Sequence, residues 1–141
     1  MLDSKLVLPY TDDEGRIHGE TILATKEGRY YRIIDIPLHA SKIALYDLIA
    51  IRRREGALYF HKIIESSGRN VIQMFILKER QIKAIGKELE QFRCLWRRSD
   101  NKHLIAFDVP KHMPYQPIKD WLDQGEQEQQ WGYREACLSH E

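Results

Sequence analysis

Apolar and polar residues alternate in short runs through the first half of the chain and then switch to a helical period. Lys5–Tyr10 reads as extended, and Asp12-Asp13-Glu14-Gly15 supplies a turn. Ile17–Thr25 carries apolar and β-branched residues, and Lys26-Glu27-Gly28 reads as a tight hairpin turn into Arg29–Ile36. Pro37, which has no N–H to give a ladder, is expected to end that strand. Leu38–Leu45 is a longer connection. Asp47–Arg53 and Ala57–Ser66 then flank Arg54-Glu55-Gly56, a second hairpin. Five short strands with tight turns predict a small partly open barrel or a curled sheet. The pattern predicts no helix of convincing length before residue 79.

Asn70–Leu77 is a strand rich in Val, Ile and Phe. In Arg80–Arg93, residues Ile82, Ile85, Leu89 and Phe92 recur at helical spacing and form one apolar stripe. Gly86 weakens that helix by roughly 1 kcal/mol relative to Ala. Cys94–Arg98 and His103–Val109 predict a hairpin around Ser99-Asp100-Asn101. Pro117 suits a first helical turn, Ile118, Trp121 and Leu122 make the next apolar face, and Gly125 is the expected stop. Trp131–Leu138 reads as a last strand. The order β-α-β-β-α-β is that of a ferredoxin-like unit. The expected fold class is therefore α+β. An antiparallel barrel-like half, residues 1–68, packs on a ferredoxin-like half, residues 69–141, with the boundary at Ser66-Ser67-Gly68.

A chain of 141 residues that is 43% hydrophobic and 30% charged belongs to the globular class. Its start lacks the apolar core of a secretory signal, and Val71–Leu77, among its longest apolar runs, is interrupted by Gln73. The expected location is the cytoplasm, without membrane contact. Cys94 and Cys137 belong to no CxxC pair and are expected to be reduced, buried and metal-free. The net charge of +1 hides a polarity along the chain. Residues 69–113 are basic by about two to one, while residues 114–141 set six carboxylates against Lys119 and Arg134. Such asymmetry bears on partners rather than on fold.

The histidines are scattered, with no HxxxH or HExxH spacing, and neither phosphate-loop motif nor GxSxG is present. Asp12, Asp13 and Glu14 are consecutive, so they splay apart as a solvated turn does. The reading is a non-enzymatic binding protein with no catalytic residue, no metal and no cofactor. Two surfaces are candidates. The basic stretch carries Phe75, Trp96 and Phe107 on strands near Arg97 and Arg98, a nucleic-acid arrangement that lacks the RNA-recognition signature. Phe75 and Phe107 are expected in the core, and Arg52-Arg53-Arg54 is read as a solvated cluster at a hairpin. The acidic stretch offers Asp120, Asp123, Glu126 and Glu128, followed by Trp131 and Tyr133, as a partner-binding surface. The alternative is a plain solvated helix face with Trp121 and Trp131 in the core.

Gly28–Pro37, then Ile43–Ala50, then Glu65-Ser66-Ser67-Gly68 resemble an uncharacterised bacterial family of small α+β proteins. Phe107-Asp108-Val109-Pro110 and Glu135-Ala136-Cys137-Leu138 are similar to its later segments. The chain departs from the family pattern at Tyr46, where the family has Gly before Asp, and at Asp35, where it has Asn. Some members resemble immunity proteins of toxin systems. That resemblance implies a protein that binds and blocks a cognate antibacterial toxin, which fits an acidic surface made for a nuclease's cationic cleft. An RNA- or DNA-binding or regulatory module using residues 69–111, and an enzyme with a site assembled from distant residues, stay open beside it.

Overall fold

In the first hairpin Leu6, Leu8, Ile22 and Ala24 are buried while their neighbours along the strands are not, so each strand has one inner face. The hairpin belongs to a set of five strands, β1 (Asp3–Thr11), β2 (Ile17–Glu27), β3 (Tyr30–Ile33), β4 (Leu48–Arg54) and β5 (Ala57–Glu65). The five strands pair antiparallel in sequence order. The barrel closes where β1 runs parallel to β5, with Val7 opposite Tyr59. Inside lie Leu6, Leu8, Ile22, Tyr31, Ile33 and Ile49. This computed structural model describes residues 3–141.

The second sheet holds β6 (Asn70–Ile76), β7 (Leu95–Arg98), β8 (Leu104–Val109) and β9 (Trp131–Cys137), in the order β7-β8-β6-β9 and antiparallel throughout. A single 3₁₀ turn, Glu79–Gln81, leads into α1 (Ile82–Gln91), and α2 (Gln116–Gln127) joins β8 to β9. Ile72, Met74, Ile76, Ile105 and Phe107 face Ile82, Ile85 and Leu89 of α1 and Ile118 and Leu122 of α2. The described residues thus form a mixed α/β fold that is mostly sheet, with nine strands in two sheets and two helices. None of its helices is long and apolar enough to cross a membrane.

Two expectations need correction here. The strand expected over Arg29–Ile36 stops at Ile33. From Ile34 onward the chain leaves the barrel, and Ile36, Leu38, Ala44 and Leu45 pack on Val71, Ala106 and Ala136, on the side of the second sheet away from the helices. Buried polar groups fix this segment. The Glu20 carboxylate accepts the N–H groups of Leu38, His39 and Ala40 at 2.6, 3.0 and 2.9 Å. The Gln73 side-chain amide donates to the carbonyls of Pro37 and Ala40. Buried backbone that belongs to no ladder needs such partners, because an unmet N–H or C=O costs about 1–3 kcal/mol.

Gly125 does not end α2, which continues to Gln127. The chain reverses at Gln129, whose φ is +59°, and Gln130 then donates to the Gly125 carbonyl at 2.9 Å. Gly125 has a different duty. A side chain there would overlap the Trp131 indole, which lies directly on the helix backbone.

Candidate functional site

Three α2 residues, Ile118, Leu122 and Gly125, are buried, so the helix turns its remaining surface outward. Asp120, Asp123, Glu126 and Glu128 are all exposed on that surface, spanning little more than two turns. Asp120 accepts a hydrogen bond from the Gln116 amide at 2.8 Å. Asp123 accepts the Tyr133 hydroxyl proton and lies 3.8 Å from Lys119 Nζ. Lys119 is the helix's single cation, and it is drawn inward. It donates to the Tyr133 hydroxyl at 3.1 Å and sits 3.9 Å from Glu135, which in turn accepts from Tyr115 at 2.7 Å. The bond to Tyr133 holds the Lys119 ammonium above its usual range. Burial raises the Tyr133 phenol, and the bond to Asp123 raises it further. Neither group is poised to give or take a proton near neutrality.

The last turn of α2 contains no basic residue, yet Glu126 lies within it and Glu128 caps it. Both carboxylates face the negative end of the helix dipole. Each costs typically 0.3–1 kcal/mol there instead of adding stability.

Of the six partner residues expected from the sequence, the four carboxylates are exposed, Tyr133 is half-buried and Trp131 is buried. Trp131 is 4% exposed, which corrects its assignment as an interface anchor. Its indole packs on Gly125 and on Trp121, with ring centroids 4.8 Å apart, and its Nε1 donates to the Leu122 carbonyl at 3.0 Å. Tyr133 is half-buried, and its hydroxyl serves the network with Asp123 and Lys119.

Phe75 departs from expectation in the opposite direction. It is 47% exposed, whereas Phe107 is fully buried. Ile72, Met74 and Ile76 face the helices, so Gln73 and Phe75 point the other way. The connection after β3 covers Gln73 but not Phe75. Phe75 stacks on His103 at 5.2 Å and borders an open groove of about 380 Å³, whose barrel wall includes Tyr10 and Asp12. The sequence signal was the alternation itself, with polar Gln73 marking the strand's second face.

Two arginines of the basic stretch are engaged within the fold. Arg69 makes a bidentate pair with the buried Asp108 at 2.8 and 2.6 Å, and Arg97 donates to the Ile36 carbonyl at 2.9 Å and approaches Glu20. Among the described residues, no group of three or more His, Cys, Asp or Glu comes together to hold a metal ion. Cys94 is buried, and burial pushes its thiol up to about 12; Cys137 is only partly buried, and burial raises it too.

No curated protein matches the chain. In fold it is similar to a hypothetical protein from Neisseria gonorrhoeae whose crystal structure is known, with a TM-score of 0.86 and 27% sequence identity. That likeness covers 100% of this chain and 99% of the other. Residues 20–133 match the family model described as a domain of unknown function, DUF4265. With that match spanning most of its length, this chain belongs to the DUF4265 family.

Proposed function

We propose that this protein is a non-enzymatic binding protein of the immunity type, which blocks a cognate toxin by setting the α2 carboxylates into a cationic cleft. The observation that carries the reading is the placement of Glu126 and Glu128 at the negative end of α2, where no basic residue offsets them. Groups that weaken their own helix fit a surface kept for a partner. Exposed carboxylates steer association with a cationic cleft and occupy the place of its anionic substrate. Trp131 and Tyr133 support that surface from below by fixing α2, rather than by touching the partner. We also read β6–β9 with the two helices as a ferredoxin-like half packed on the barrel, a reading supported by the strand order β7-β8-β6-β9.

The test expresses the products of the neighbouring open reading frames with and without this protein and looks for one that kills the cells in its absence. Wild type should restore growth, and a variant carrying Asp120→Lys, Glu126→Lys and Glu128→Lys should not. The same variant should unfold at an equal or slightly higher temperature, because Lys at a helix C-terminus complements the dipole. Rescue by the variant would remove the α2 surface from the reading. Loss of rescue with a large fall in melting temperature would mean that these carboxylates hold the fold.

A further inference from the structure

The run Arg52-Arg53-Arg54 does not end in a loose turn. It is the second half of β4, registered residue for residue against β5: Arg52 opposite Tyr59, Arg53 opposite Leu58 and Arg54 opposite Ala57. Leu58 and Phe60 pack on the barrel core, and so does Ile51. Alternation therefore turns Tyr59, Arg52 and Arg54 outward. Tyr59 is 38% exposed. On its other side it meets Val7 of β1, whose neighbours Leu6 and Leu8 point inward, so Lys5 shares the outer face with Val7. Arg52 also reaches His61 Nε2 at 3.4 Å.

The result is an exposed aromatic ring set among three permanent cations, Lys5, Arg52 and Arg54. Among the described residues, none of the three has a carboxylate within 4.0 Å. The carboxylates nearest in sequence are Glu55, in the turn after Arg54, and Asp3, two residues before Lys5 on β1, which accepts a hydrogen bond from the Thr25 hydroxyl at 3.0 Å. Some arginines of this molecule are partnered, Arg32 by Glu27, Arg69 by Asp108 and Arg98 by Glu79. Arg29, Arg80 and Arg93, like Arg52 and Arg54, have no carboxylate within 4.0 Å among the described residues. Cations left without carboxylates around an open aromatic face make a surface for a polyanion that also offers flat rings.

We propose that the outer face of β4 and β5 binds single-stranded nucleic acid, with a base stacked on Tyr59 and phosphates held by Arg52, Arg54 and Lys5. Arg52 and Arg54 lie two residues apart on one strand, roughly 7 Å, so they can hold separate phosphates of one backbone. Single strands are required because a duplex hides the faces of its bases, and stacking on an aromatic ring is indifferent to base identity. The surface lies on the barrel and shares no residue with the α2 carboxylates, so either can fail without the other.

The experiment measures fluorescence anisotropy of short labelled RNA and DNA single strands of mixed sequence against the full chain. Binding of either strand supports the proposal if log K falls against log salt with a slope near about −2, three phosphate contacts at about 0.7 each. Arg52→Glu with Arg54→Glu should weaken binding at least tenfold and flatten that slope. Tyr59→Ala should weaken it roughly tenfold and leave the slope unchanged, while Tyr59→Phe should bind as wild type does. These side chains point outward, so circular dichroism and melting temperature should not move. Four results would overturn the proposal: no binding at low salt, duplex bound as tightly as single strand, full affinity retained by Tyr59→Ala, or capture by vesicles of anionic lipid without binding of either oligonucleotide.

Discussion

The two helix–strand units of the second sheet solve one packing problem to different depths. In each, a buried glycine on the helix receives the indole of a tryptophan from the following strand: Gly86 takes Trp96, and Gly125 takes Trp131. A helix can lie that close to a large aromatic only where it has no side chain. The units differ in what surrounds the indole. Trp131 is buried, hydrogen-bonded to Leu122 and packed on Trp121, which also meets Phe92 and Phe107 edge-on. Trp96 is half-buried on β7, at the edge of the sheet. The same device is thus a central element beside α2 and a peripheral one beside α1, and that difference should appear as energy.

The largest effect is expected from removing the indoles. Trp131→Ala should cost about 3–5 kcal/mol, as buried Trp truncations do, and Trp96→Ala clearly less. Urea unfolding of both variants measures the gap. Equal losses would mean that the edge unit is as central as the other.

The glycines sharpen the comparison by inverting the usual sign. Helix propensity alone predicts that Gly→Ala in either helix stabilises by about 1 kcal/mol. Here a methyl group at Gly125 would overlap the Trp131 ring, and one at Gly86 would overlap Trp96. Gly125→Ala should destabilise by about 1–3 kcal/mol, as overpacking does. Gly86→Ala should fall nearer to neutral, because the half-buried Trp96 can shift toward solvent. Thermal melts of the two variants decide it, and a stabilised Gly125→Ala would disprove the close fit.

These pairs also mark where the sequence stops being readable. The strands of the barrel, the stripe of α1 and the hairpin turns follow from periods and turn residues that lie next to one another in the chain. Gly125 read as a helix stop because local rules assign it that meaning, while its partner lies six residues on and meets it only in the folded state. The connection after β3 was opaque for a related reason. Ile36, Leu38, Ala44 and Leu45 have no period of their own and make sense only against Val71, Ala106 and Ala136. Tyr46 was half legible. The resemblance read from the sequence set Gly at this place, and the structure gives Tyr46 a φ of +68°, a conformation that suits Gly and strains Tyr. The Arg69 guanidinium over the Tyr46 ring, 5.0 Å from its centre, offsets part of that strain. As for the candidate surface, the outward carboxylates of α2 were readable from helical spacing alone. The burial of Trp131 and the exposure of Phe75 were not, because both depend on which segment covers which face.

Alkaline pH gives the smallest effect and separates the same two units. Beside α1, burial raises the Cys94 thiol from 9.0 to about 12. Beside α2, burial and the bond to Glu135 raise the Tyr115 phenol, and the bond to Tyr133 raises the Lys119 ammonium. In all three the folded state binds its proton more tightly than the unfolded chain does. Their contributions are therefore complete below the unfolded pKa and are lost as pH rises from that value through the folded one. For Cys94 the loss starts near pH 9.0; for Tyr115 and Lys119 it starts near 10.0 and 10.5. The more deeply buried Cys94 should give the larger early loss, on the order of 1 kcal/mol at pH 10, since each tenfold difference in proton affinity between the two states is worth about 1.36 kcal/mol. Cys137 on β9 starts to add its own loss from the same pH. Cys94→Ala should lower stability at neutral pH by leaving a small void, and it should shrink the decline expected between pH 9 and 10, with the partly buried Cys137 supplying what remains. Urea midpoints at pH 8, 9 and 10 test this, and an unchanged slope in Cys94→Ala would place the first alkaline event elsewhere in the molecule.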